Sequence, residues 1–204
     1  MSTQRPQASV DVSALPDVTF GYRNLVWWGT VAFMFIEGTT LAMCAATYLY
    51  LRRNFAMLPP ERIAPPDLTR ATIEVLLMLV SFVPLAILGR AAERKDLRAC
   101  RLWLLVAIAF NLAFVVLRWF ELGDLNVRWD LNAYGSSAWL VLIVHGTLLA
   151  AEVGELAVFS LIAWTGRWEE KHFPDATDLV LYWYFMCLAW MPLYAMVFLL
   201  PRAM

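Results

Sequence analysis

Hydrophobic residues in this chain fall into five long runs that are separated by short, more polar segments. The runs cover roughly residues 26–51, 71–89, 101–120, 136–164 and 178–200. Each run is close to the 20 or so apolar residues that an α-helix needs to cross a hydrocarbon layer about 30 Å thick. The pattern therefore predicts an all-α integral membrane protein built as a bundle of five transmembrane helices.

The polar segments predict one membrane domain, residues 26–204, preceded by a polar N-terminal segment, residues 1–25. The first connection, "RRNFAMLPPERIAPPDLTR", contains two proline pairs, which cannot continue a helix. The other connections are short, so we expect neighbouring helices to pack antiparallel in a single bundle. The N-terminal segment lacks a short apolar core with a small-residue cleavage site, so we expect no signal peptide.

Composition and charge agree with a membrane protein. The chain is 61% hydrophobic and 16% charged, and its mean hydropathy is +0.61. A net charge of −1 gives no reason to expect a nucleic-acid partner. A cytoplasmic N-terminus puts nine Lys and Arg residues on the inner side and seven, Arg118 among them, on the outer side. This bias predicts a cytoplasmic N-terminus and, with five spans, a C-terminus on the outside. We expect the membrane to be the cytoplasmic (inner) membrane of a bacterium.

Small residues recur at four-residue spacing in two of the runs: Gly38, Ala42 and Ala46 in the first, and Ala150 and Gly154 in the fourth. Small side chains let helices approach closely in lipid, so these positions are predicted to mediate helix contacts. Tryptophans, including Trp183, fall near the predicted span ends, where aromatic rings favour the headgroup region.

A few polar residues lie at membrane depth, and each is a candidate functional residue because a charge there costs several kcal/mol. They are Glu37, Glu74, Ser81, Asn111, His145, Glu152 and Glu155. At 100° per residue, the last three fall within about 80° of arc on the fourth span. That face is predicted to look into the bundle or at a partner protein.

Two interpretations of these acids remain open. They are either protonated and hydrogen-bonded, holding the helices together, or they form a proton or cation path. A path needs relay groups across the whole membrane, whereas the acids are expected to gather at one depth on one or two helices. Glu37 lies near the midplane, too deep to reach water, so it must be neutral or partnered, with His145 or Asn111 as the expected partner.

Metal and haem chemistry can be judged by counting possible ligands. The only histidines are His145 and His172, and the sequence has no CxxC, HxxxH or CxxCH motif. We therefore predict no catalytic residue, no cofactor-binding residue and no metal site in this chain. His172 is interpreted as a solvated loop residue, and the three cysteines as small core residues.

Four segments, in order, resemble subunit III of the haem-copper respiratory oxidases, the cytochrome c oxidase subunit III family. "WWGTVAFMFIEGTTLAM" is similar to a helix with a membrane-embedded glutamate, here Glu37, and "LRWFEL" to a helix ending with an aromatic residue and a glutamate, Glu121. "NAYGSSAWLVLIVHGTLLAAEVGELAV" resembles a segment leading to a His-Gly pair, His145 and Gly146. "LYWYFMCLAWMPLYAMVFLLPR" is similar to the family's final helix, which places Tyr182, Trp183, Phe185, Trp190 and Tyr194.

The chain also departs from the family pattern. Leu148 stands where the family has a second histidine, and Glu152 where it has a glycine. Tyr184 and Cys187 replace a histidine and an aspartate of the last helix. Five spans match the short form of the family, as in quinol oxidases and in the accessory protein associated with nitric oxide reductases. The resemblance therefore indicates a short, divergent member with a cytoplasmic N-terminus.

The resemblance implies a non-redox, non-catalytic accessory subunit of an oxidoreductase complex. It would sit beside a subunit I type catalytic chain and further oxidase subunits, with haem and copper in those partners and phospholipid bound to this chain. It would support proton uptake and oxygen access in aerobic electron transport. Two alternatives remain: the accessory protein of a nitric oxide reductase, and a small autonomous transporter that uses Glu37, Glu152 and Glu155.

Overall fold

The structure is a computed structural model that describes residues 24–54, 59–60 and 62–202. The described chain is helical: α1 is Leu25–Arg53, α2 Thr69–Glu93, α3 Leu97–Asp124, α4 Ala133–Trp164 and α5 His172–Tyr194. A π-helical turn, Ala195–Leu199, and a 3₁₀ turn, Leu200–Arg202, follow α5. Five helices are long and apolar enough to cross a membrane, so the chain is a multi-pass membrane protein, as predicted. The predicted polar segment, residues 1–25, lies almost wholly outside the described residues.

Polar side chains set the helix ends a few residues beyond the apolar runs. The Asp96 side chain caps α3, and the Asn132 side chain accepts a hydrogen bond from Gly135 N at 2.8 Å to cap α4. α5 begins six residues before its apolar run. There His172 Nδ1 accepts a hydrogen bond from Glu169 N at 2.8 Å. His172 is therefore the first residue of a helix and not, as interpreted from the sequence, a solvated loop residue.

The helices pack in a ring in the order α1, α4, α3, α2 and α5, with α5 returning to α1. α4 and α5 also touch across the ring. The sequence neighbours α2 and α3, and α3 and α4, pack against each other as predicted. α1 packs mainly on α4 and α5 and not on α2, its neighbour in sequence. We call the end at which α1, α3 and α5 begin the near end, and the opposite end the far end.

Most of the predicted small-residue positions make no close contact within the described bundle. Gly38 does pack closely, since a Cβ there would lie 3.4 Å from the Phe185 ring. Ala42 and Ala46 of α1 are exposed, as are Ala150 and Gly154 of α4. The buried face of α1 instead consists of Glu37, Leu41, Cys44 and Tyr48. An acid costs far more than alanine when it faces lipid, so Glu37 determines which face of α1 turns inward.

Trp183 also differs from its predicted position at a span end. It is 3% exposed, and its Nε1 donates a hydrogen bond to Ser81 Oγ at 3.0 Å. Because α5 starts at His172, Trp183 lies about three turns from the helix start and inside the bundle. The indole therefore joins α5 to α2 through a buried polar contact.

Two ion pairs lie among the exposed near-end loops. Lys95, after α2, pairs with Glu170, before α5, and Lys171 pairs with Glu169 at 2.7 Å. These hydrogen bonds and positive charges lower the pKa of both carboxyls. Exposed pairs contribute little to stability, so these loops mainly present charge to water.

Candidate functional site

A buried cation lies toward the far end of the bundle, where α2, α3, α4 and α5 meet. Arg118 is 4% exposed, and its guanidinium lies 2.8 Å from the Glu74 carboxyl and 2.7 Å from that of Glu121. Arg118 Nη2 is 3.4 Å from His145 Nδ1, and the guanidinium carbon is 3.5 Å from the centre of the Trp190 ring. We call these five residues the Arg118 cluster.

Helix geometry explains how the Arg118 cluster assembles. Glu121 follows Arg118 by three residues and so shares its face of α3. The antiparallel packing of α2 on α3 brings Glu74 opposite this pair. On α4, Gly146 leaves room for the arginine, because a Cβ at this position would lie only 2.8 Å from Arg118 Cγ. Every helix of the ring except α1 therefore contributes to holding this one side chain.

The hydrogen bonds of His145 fix its tautomer. Nδ1 faces Arg118, whose guanidinium can only donate, so Nδ1 accepts. Nε2 lies 3.2 Å from the backbone oxygen of Met186, which can only accept, so Nε2 carries the proton. The ring is therefore neutral and adds no charge to the Arg118 cluster.

Counting Arg118 as an outer loop charge was wrong. Inside the bundle, two carboxyls pair with the guanidinium and an aromatic ring packs against its face. These contacts replace the hydration that the charge would have outside, so the buried charge is not unpaired. Glu121 is 0% exposed and is also inside the bundle. The three-residue spacing of Arg118 and Glu121 was the sequence signal that could have revealed their pairing.

Glu37 has a different partner from the two that were predicted. Tyr182 Oη donates a hydrogen bond to Glu37 Oε2 at 2.7 Å, and Glu37 is 6% exposed. The expectation that this acid is partnered is thus confirmed. The choice of His145 or Asn111 is wrong, because His145 faces Arg118 and α1 packs on α4 and α5, away from the helix that carries Asn111.

Two further buried polar residues meet between α3, α4 and α5. Asn111 and Glu152 are 1% and 3% exposed, and they line a small internal cavity beside Trp183 and Cys187. Within the described chain, neither the Asn111 amide nor the Glu152 carboxyl has a hydrogen-bond partner. Buried polar groups normally have a hydrogen-bond partner, so these two side chains are exceptions within the described chain.

An acidic groove opens toward the near end between α1, α4 and α5. Its volume is about 440 Å³, and its lining includes Glu155, Asp175 and Asp178 together with Tyr182. Glu155 is exposed. The predicted polar face of α4 therefore looks into the bundle at His145 and Glu152, whereas at Glu155 it looks out into this groove.

The four buried glutamates of the described chain occupy two levels and four helices, not the one depth on one or two helices that was expected. Glu74 and Glu121 lie at the far level, and Glu37 and Glu152 at the near level. On α4, His145 and Glu152 are seven residues apart, which separates the levels by about 10 Å. The far level is fixed by ion pairs, whereas the near level borders the acidic groove.

Within residues 24–54, 59–60 and 62–202, no three His, Cys, Asp or Glu side chains are placed to hold a metal ion. Cys44, Cys100 and Cys187 are buried free thiols, which agrees with their interpretation as core residues. The described side chains therefore form two kinds of polar site. One is the buried Arg118 cluster, and the other is the group of carboxyls in and beside the acidic groove.

No protein-family model matches this chain, and no curated protein matches it. The resemblance to subunit III stands on the four segments quoted above.

Proposed function

We propose that this chain is a non-redox accessory subunit, of the subunit III type, in a respiratory haem-copper oxidase. In this role it sits beside a subunit I type chain that carries haem and copper. It supports proton uptake, lipid binding and oxygen access of that catalytic chain during aerobic electron transport.

The observation that carries the proposal is the contact between residues of three resembling segments. Glu121 from "LRWFEL", the pair His145 and Gly146, and Trp190 from the last segment all surround Arg118. The first segment joins the last through the bond between Glu37 and Tyr182. Segments selected by motif alone therefore contribute side chains to the same buried contacts, which supports treating the four resemblances together and not as separate chance matches.

Exposed small residues support a role beside another membrane protein. Ala42 and Ala46 of α1, and Ala150 and Gly154 of α4, face away from the bundle on two neighbouring helices. We use the name small-residue surface for these four exposed positions, two on each helix; Ala42 also lines a groove between α1 and α5. A Cβ at Gly154 would meet no atom of this chain within 4 Å. Such surfaces allow a partner helix to approach closely within the membrane.

A second groove supports the lipid-binding part of the proposal. It has a volume of about 450 Å³ and lies between α1 and α5, beside Pro192 and the π-helical turn. Its lining is aliphatic: Gly38, Leu41, Ala42, Ala45, Leu49, Ala189, Pro192, Leu193, Ala195, Met196 and Leu200. An acyl chain has the apolar chemistry that matches this lining.

The test is to identify what purifies with the tagged chain from its own membranes in a mild detergent. The proposal predicts a multi-histidine haem subunit and oxygen consumption by the purified complex. Nitric oxide reduction without oxygen consumption by that complex would favour the alternative role as the accessory protein of a nitric oxide reductase. A homo-oligomer without any haem subunit would contradict both roles.

The acidic groove is the one observation that favours the transporter alternative. It places Glu155, Asp175 and Asp178 around an opening at the near end, next to the Glu37 and Tyr182 pair. A transporter would move cations or protons when the chain is reconstituted alone in liposomes. The accessory role predicts no such flux, and Glu155→Gln is the variant that would abolish it if it occurred.

A further inference from the structure

The Arg118 cluster contains more acidic groups than basic ones. Glu74 and Glu121 are each 0% exposed, and Arg118 is 4% exposed. The cluster therefore carries a net charge of −1 if both carboxyls are ionised. We propose that this cluster is a proton-binding site, in which Glu74 and Glu121 share one proton beside the Arg118 guanidinium.

The neighbouring groups do not supply the missing positive charge. His145 is neutral, since its Nδ1 accepts from Arg118 and its Nε2 donates to Met186. Toward the far end, Arg70 is paired with Asp124 at 2.6 Å, so the next turn of α2 and α3 is neutral as a unit. From α5, Trp190 contributes an aromatic face and no charge. A buried net charge is strongly unfavourable, and binding a proton removes it.

The geometry of the oxygens gives the proton a place. Glu121 Oε2 accepts a hydrogen bond from Arg118 at 2.7 Å, whereas Glu121 Oε1 has no donor within the described chain. Glu74 makes an ion-pair contact with Arg118, but neither of its oxygens has a hydrogen-bond partner there. The two carboxyls lie side by side on one guanidinium, with Glu74 Oε2 2.8 Å from Arg118 Nη2 and Glu121 Oε2 2.7 Å from Arg118 Nη1. Two carboxylates cannot bond to each other, but a carboxylic acid on Glu74 can donate to Glu121 Oε1, which gives that oxygen a donor and one Glu74 oxygen a partner.

Charge balance makes an unusual prediction for variants. Glu74→Gln leaves Arg118 with one carboxylate, Glu121, and the cluster is neutral without a proton. Glu121→Gln leaves Arg118 with Glu74, again neutral without a proton. Each single variant therefore removes the same proton, although each changes a different residue.

Infrared spectroscopy of the purified full chain tests this directly, because a carboxylic acid and a carboxylate absorb at different frequencies. We expect Glu74→Gln and Glu121→Gln each to lose one carboxylic-acid band, and the double variant to lose that same band and not two. Glu93→Gln, which changes an exposed glutamate of the same helix, is the matched control and should leave the band unchanged. If one single variant does not fold, the other tests the same proton.

Three outcomes would overturn the proposal. The first is that neither single variant loses the band, which means both carboxyls are ionised in the native protein. The second is that the band survives in one single variant, which means the proton is not shared. The third is a band that grows when Na⁺ is replaced by a bulky organic cation, which means that a metal ion and not a proton balances the charge.

Discussion

At the scale of single residues, the position of Arg118 depends on the missing side chain of Gly146 as much as on its ion pairs. Its aliphatic stem passes over Gly146, where a Cβ would lie 2.8 Å from Arg118 Cγ. Two carboxyls hold the guanidinium of Arg118, so the aliphatic stem cannot move away without disturbing both ion pairs.

The first prediction follows from this contact. Gly146→Ala should destabilise the isolated chain, by about 3–5 kcal/mol if it separates Arg118 from its carboxyls. Gly154→Ala is the matched control on the same helix, and it should be neutral or slightly stabilising because its Cβ meets open space. The measurement is the midpoint of thermal unfolding in detergent. Equal midpoints for the two variants would show that Arg118 adapts freely.

A second prediction concerns the bond between Glu37 and Tyr182. Tyr182→Phe removes the hydroxyl that donates to Glu37 Oε2 and leaves a buried carboxyl oxygen unsatisfied, which should cost about 1–3 kcal/mol of unfolding free energy. Tyr50→Phe removes a hydroxyl from an exposed tyrosine of α1 and is the control.

Glu37→Gln should be mild by comparison, because the glutamine carbonyl oxygen can still accept from Tyr182. Assembly with a partner and most turnover of the complex should persist in this variant. Complete loss of steady-state activity in an intact Glu37→Gln complex would mean that Glu37 carries protons, contrary to the role proposed for it.

At the scale of helices, one buried polar residue determines the orientation of α1. Glu37 lies on the inward face, and the small residues Ala42 and Ala46 are consequently turned outward. The small-residue surface is therefore available to another helix, which is the basis of a prediction about assembly.

Gly154→Leu should weaken co-purification of the partner, because leucine blocks close approach on the small-residue surface. The isolated bundle should unfold at the same temperature as the unmodified chain, since the site contacts nothing within it. Gly123→Leu on α3 is the control, because that glycine is also exposed and its Cβ would also meet open space. Equal loss of partner in both variants would place the interface elsewhere.

The sequence was sufficient to predict the five helices and the burial of most intramembrane polar residues, because hydrophobic runs respond to the thickness of the membrane and not to details of packing. It was insufficient for the polar partners. The pairing of Glu37 with Tyr182 depends on α1 packing against α5, and the burial of Arg118 depends on α2 supplying Glu74. Both contacts are between residues distant in sequence, which no local spacing reveals.

At the scale of the whole molecule, the ring of helices encloses two levels of polar groups. The far level is an ion-pair cluster among α2, α3, α4 and α5, and the near level lies behind an acidic groove. The outer surface remains strongly apolar, with exposed side chains such as Phe35, Met43 and Trp119. This distribution suits a protein whose outer surface lies in lipid.

The measurement that tests the accessory role most directly is the haem absorbance of the tagged chain after two purifications. In a mild detergent that preserves complexes, we predict a haem spectrum in proportion to a co-purifying partner. After a harsher detergent separates the subunits, we predict that the haem remains with the partner and that this chain shows none. Stoichiometric haem on the separated chain, or a haem-free homo-oligomer in the mild detergent, would contradict the account.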